Sequence, residues 1–121
     1  MGYFELLRKV QDYSGFSATE ANDALQLMVE SLAVHLSEPE RKDFANQLPE
    51  ELQDIALSVY ATDSNSKQDI LQQFMVLQHI DERRAKKQIR ASWRALREAM
   101  ARNEVDDIKS QLKNQKLLMQ E

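Results

Sequence analysis

The sequence predicts an all-α protein, a single-domain helical bundle of about six to seven helices, and three observations carry that prediction. Helix starts are legible as Ser or Asp with an acidic residue close behind, and apolar residues recur three and four apart. No stretch alternates Val, Ile, Thr and aromatics as a strand would. Only two glycines and two prolines interrupt 121 residues, and 42% hydrophobic content suffices for one core.

The elements follow in order. Tyr3, Leu6, Leu7 and Val10 share one helical face, and Gly15 supplies a left-handed C-cap. Ser17 with Glu20 forms a capping box, in which the hydroxyl accepts from the N3 amide and the carboxylate reaches back. It opens a helix buried through Ala21, Leu25, Met28, Leu32 and Leu36, with His35 near its end, where an imidazole suits the dipole. Ser37 with Glu40 forms a second box, and Phe44 and Leu48 continue the apolar face. Pro49 fits the N1 position of a further helix, with Glu50 and Glu51 at its positive end and Leu52, Ile55, Ala56 and Val59 inward. Residues 61–65, ATDSN, read as a polar loop. Ser66 with Asp69 forms a third box, His79 falls at a turn, and Asp81 caps another helix without a reciprocal acid.

A shift of 64 residues lays the second half on the first without a gap. Leu6 falls on Ile70, Val10 on Phe74, Ala21 on Ala85, Leu25 on Ile89, Val29 on Trp93 and Leu32 on Leu96. Within ERKDFANQLP, residues Glu40, Asp43, Phe44, Gln47 and Leu48 fall on Glu104, Asp107, Ile108, Gln111 and Leu112, while Pro49 is replaced by Lys113. This predicts two related helical units, 1–61 and 66–121, joined by a linker at 62–65 and packed about an approximate twofold axis. The set Ser37, Glu40, Asp43, Gln47, Leu48, Pro49, Glu104, Asp107, Gln111 and Leu112 reads as an architectural joint, with Asp43 and Gln47 bonding across it.

The stretches FELLRKVQ, ALQLMVESLAVHLS and ERKDFANQLPEEL resemble the bacterial and cyanobacterial family of duplicated all-helical proteins known as domain of unknown function 2267. The similarity is strongest at Leu36-Ser37, Glu40, Gln47-Leu48-Pro49 and Glu51-Leu52, and it covers nearly the whole chain. It implies the duplicated helical fold and assigns no activity.

Catalytic and metal readings find little support. There is no cysteine, so a disulfide scaffold and a thiol nucleophile are excluded and a reducing cytoplasm is the expected location. His35 and His79 are the only histidines and do not make a zinc set. Asp63-Ser64-Asn65 with Asp69 mimics a calcium loop, but its sixth position is Gln68 and its twelfth Phe74. No glycine-rich phosphate loop, nucleophile elbow or HExxH occurs, and the expectation is a protein without catalytic residues, cofactor or metal. Met1-Gly2 lacks the Ser or Thr of a myristoylation signal, Leu6 standing in its place. No segment approaches the ~20 apolar residues that span a bilayer.

Charge is the remaining signal. Residues 1–65 hold 12 acids and 4 bases, and residues 66–121 hold 8 acids and 12 bases. Arg83, Lys87, Arg90, Arg94 and Arg97 recur at helical spacing as one basic stripe. The equivalent first-half face carries Glu20, Asp23 and Glu30, falling on Arg84, Lys87 and Arg94. Three readings compete: a solvated face, self-association of acidic on basic face as a homodimer or with another protein, and anion binding with Trp93 at the stripe's edge. A net charge of −4 opposes general nucleic-acid binding.

Overall fold

The computed structural model describes residues 1–59, 69–112 and 115–119. Among these, every regular element is a helix: α1 (Tyr3–Ser14), α2 (Ala18–His35), α3 (Glu38–Asn46), α4 (Glu50–Leu57), α5 (Ile70–Gln78), α6 (Glu82–Ala99), α7 (Arg102–Gln111) and α8 (Lys116–Met119). The all-α expectation holds. The eighth helix is a single turn at the end of the chain, too short for a periodic signal in the sequence.

The two 18-residue helices α2 and α6 pack against each other at the centre. Both are lined by apolar residues three and four apart: Ala21, Leu25, Met28 and Leu32 on α2, and Ala85, Ile89, Trp93 and Leu96 on α6, all fully buried. α1 lies across both, α5 packs mainly on α6, α3 and α4 form a pair, and α7 meets α3. Leu6, Phe44, Leu52, Phe74 and Ile108 complete one continuous core. Each such side chain contributes about 1.5–3 kcal/mol on removal from water. Trp93 is wholly buried here, which removes it as a surface stacking group for an anion.

The helix starts refine the sequence reading. Ser17 Oγ accepts from the Glu20 amide at 3.1 Å and Ser37 Oγ from the Glu40 amide at 3.4 Å, so half of each box forms as expected. The carboxylates are engaged elsewhere, as described below. Asp69 is itself the N-cap of α5, accepting from Leu71 N–H at 3.2 Å, and is not the third residue of a helix begun at Ser66. Ser66 and the 61–65 loop lie outside the described residues. Asp81 caps α6 through Arg84 N–H at 2.8 Å. Pro49 stands one residue earlier than expected, at the N-cap of α4 with extended backbone, because its fixed φ of −61° serves either position. Gly15 ends α1 at φ 76°, and His79 ends α5 in the same left-handed region at φ 54°.

Candidate functional site

The stretch ERKDFANQLP builds the best-defined polar constellation of the molecule, at the joint where α3 meets α7. The first residue of each helix start leaves a backbone donor that its own helix does not satisfy. Ser37 N–H donates to Gln111 Oε1 at 2.8 Å, and Ala101 N–H donates to Gln47 Oε1 at 3.1 Å. Each helix start is thus capped by a glutamine from the end of the other helix. Ser37 and Ala101 are 64 residues apart, as are Gln47 and Gln111. Because Gln111 takes the Ser37 amide, the reciprocal half of the Ser37–Glu40 capping box is displaced.

Glu40 instead turns inward towards Glu104. The two residues are 8% and 6% exposed, and Oε1 of each is buried and lacks a hydrogen-bond partner. Carboxylate oxygens of Glu40, Asp43 and Glu104 lie within 4.8 Å of one another. Burial, then the neighbouring Glu40, pushes the Glu104 carboxyl up to about 8, with Asp43 and Asp107 adding to the repulsion. Arg41 does not neutralise the group, since its Nε and Nη2 donate to Ala33 and Leu36 carbonyls at the end of α2, at 3.0 and 2.9 Å. The expectation that Gln47 bonds across the joint is met. Asp43 is solvent-exposed and joins the carboxylate group. Asp107 is exposed beside it, Leu48 and Leu112 are buried beneath, and Pro49 leads into α4.

The basic stripe divides. Arg83, Lys87, Arg90 and Arg94 line an open groove of about 380 Å³ with Ala91 and Tyr13 of α1. Arg97 leaves the stripe: it is half-buried, with its guanidinium 5.8 Å from the Trp93 ring centre. The groove wall is fixed by α1, where Glu98 accepts from Lys9 Nζ at 2.7 Å and from the Tyr13 hydroxyl, and Arg94 stacks 4.0 Å over Tyr13. The hydrogen bond from Lys9 holds the Glu98 carboxyl below its ordinary value and raises the Lys9 ammonium.

The acidic face divides as well. Glu20 accepts from Arg84 Nε at 2.8 Å and Nη2 at 2.5 Å, and from Gln88 Nε2 at 2.9 Å, within the same chain. Arg84 accordingly holds the Glu20 carboxyl below its ordinary value. Asp23 and Glu30 remain on a second open groove of about 450 Å³ with Gln26, Leu27, Ile55, Leu77 and Gln78. The intramolecular Glu20–Arg84 pair, the inward turn of Glu40 and the place of Tyr13 went unread in the sequence. The 64-residue spacing held the signal for two of them, since the residues that meet are each 64 apart: 20 with 84, and 40 with 104.

Fold and site together define an all-helical protein whose polar chemistry is gathered at helix starts and along one long helix. The chain belongs to the family described as Uncharacterized conserved protein (DUF2267), whose model matches residues 3–117, and the resemblance read in the sequence is thereby established. No curated protein and no solved structure matches it. Among the described residues no helix is long and apolar enough to cross a membrane.

Proposed function

We propose that this protein is a non-enzymatic interaction module of two related helical units, 1–61 and 66–121, and that it self-associates as a homodimer through the α6 groove. Support for the duplication comes from the joint: the 37–111 and 47–101 hydrogen bonds exchange under the 64-residue shift, and Glu40 faces its own counterpart Glu104. The left-handed caps Gly15 and His79 obey the same shift. An absence of cysteine suits a cytoplasmic setting.

The observation that carries the interaction reading is the concave cluster of Arg83, Lys87, Arg90 and Arg94 on a chain of net charge −4. A groove of this sign attracts carboxylates, and the chain offers a matching acidic groove at Asp23 and Glu30. Glu20 is excluded from that contact because Arg84 already holds it. Exposed ion pairs contribute about 0.2–1 kcal/mol each and are screened by salt, so several acting together give an association that salt weakens.

Light-scattering mass measured against ionic strength tests this directly. The expected result is a dimer at low salt that dissociates as salt rises, and an Arg90→Glu/Arg94→Glu variant that is monomeric throughout. A mass indifferent to both overturns the reading. Cosedimentation with anionic vesicles, or a shift of labelled nucleic acid, near physiological salt would reassign the same groove to anion binding.

A further inference from the structure

The joint between α3 and α7 holds an arrangement that helix capping does not explain. Glu40 and Glu104, residues 8% and 6% exposed, converge from opposite helices, and Oε1 of each is buried with no donor reaching it. A buried carboxylate without a partner is strongly disfavoured, so a second buried carboxylate beside it is worse, and something positive has to lie between them. Of the bases on α3, Arg41 donates to backbone carbonyls and Lys42 pairs with Glu38 at 3.5 Å. A single proton shared by Glu40 and Glu104 also fills the gap, but it does not engage Asp43, whose oxygen lies within 4.8 Å of theirs.

We infer that Glu40, Asp43 and Glu104 form a site for a hard divalent cation, Ca²⁺ in preference to Mg²⁺, that clamps α3 to α7. All three ligands are carboxylate oxygens, the donor type that Ca²⁺ and Mg²⁺ take and that softer metals leave to nitrogen and sulfur. Geometry separates the two ions. Mg²⁺ demands a near-ideal octahedron at about 2.0–2.1 Å and gives up its water reluctantly, whereas Ca²⁺ accepts irregular sets of oxygens at about 2.3–2.6 Å. Three oxygens held on two helices within 4.8 Å of one another suit the more tolerant ion. Asp43 is exposed, so the side of the site it occupies opens to solvent, where water completes the shell. Both Glu40 and Glu104 stand at the third position of their helices, where the positive ends of the two dipoles add to the repulsion of a cation; the carboxylates outweigh two half-charges once the cation displaces the proton on Glu104. With few protein ligands the site is a weak one, in the range of about 10⁻⁵ to 10⁻³ M.

The experiment is calorimetric titration of the intact protein, freed of metal by a chelator, with CaCl₂ and separately with MgCl₂, alongside thermal unfolding in each salt. Expected are one Ca²⁺ per chain, a rise in the unfolding temperature with Ca²⁺, and a smaller response to Mg²⁺. Asp43→Asn and Glu104→Gln should each weaken Ca²⁺ binding about tenfold or more, while Asp23→Asn/Glu30→Gln leaves it unchanged. Asp43 is exposed, so its variant keeps the test decisive even should Glu104→Gln fail to fold. No heat and no thermal shift at millimolar Ca²⁺ overturns the inference, and so does binding that survives Asp43→Asn and Glu104→Gln but disappears in the Asp23/Glu30 variant. The self-association test reads salt and mass, so either idea can fail alone.

Discussion

Glu20 is the residue on which the sequence reading and the structure differ most usefully. A glutamate three after a serine signals a capping box, and the serine half is present, but the carboxylate finds a guanidinium and a buried amide on α6. Local pattern names the residue; only the packing of α2 on α6 decides its partner. Glu20→Ala would leave the Gln88 amide, 1% exposed, without its acceptor, and we expect a loss of about 1–2 kcal/mol in urea unfolding, since Arg84 is half-exposed and well screened. The pH dependence follows from the lowered Glu20 and Glu98 carboxyls. Their contribution is complete above the ordinary glutamate value of 4.5 and is lost as pH falls through the lower folded values. The unfolding temperature should therefore drop below about pH 4.5, and less steeply in Glu20→Gln. The left-handed caps give a pair of opposite sign. Gly15→Ala should cost about 1 kcal/mol, whereas His79→Gly should gain a few tenths by relieving a side chain at φ 54°.

Elements were legible where their ends carry side-chain signals. Asp81 and Gly15 mark the start of α6 and the end of α1 as the sequence indicates, and the apolar spacing of α2 and α6 names their buried faces. The start of α7 carries no such signal: Ala101 has no side chain to cap with, and its partner Gln47 lies 54 residues away. Removing that amide tests the exchange. Gln47→Ala and Gln111→Ala should each cost about 0.5–1 kcal/mol, the size of a lost helix cap at an exposed position. Hydrogen exchange should quicken at Ala101 in the first variant and at Ser37 in the second. Faster exchange confined to the mutated helix would show that the glutamines act locally.

For the whole molecule, one core spans both halves, with α1 seated on α6 and Trp93 buried among residues of each. A shared core implies one cooperative transition. Trp93 fluorescence and far-ultraviolet circular dichroism should report the same denaturation midpoint, and separate midpoints would mean that the halves unfold independently. The class of fold was readable because periodicity is a property of single helices. The carboxylate pair and the α6 groove were not, because each is made by elements far apart in sequence: Tyr13 faces Arg94, and Glu40 faces Glu104. The crossed glutamines carry a further consequence. Deleting the α3 stretch would strand a donor at Ala101 and an amide at Gln111, and deleting α7 would do the same to Ser37 and Gln47. The two stretches are therefore one structural unit written in two places, and a loss at either is felt at the other.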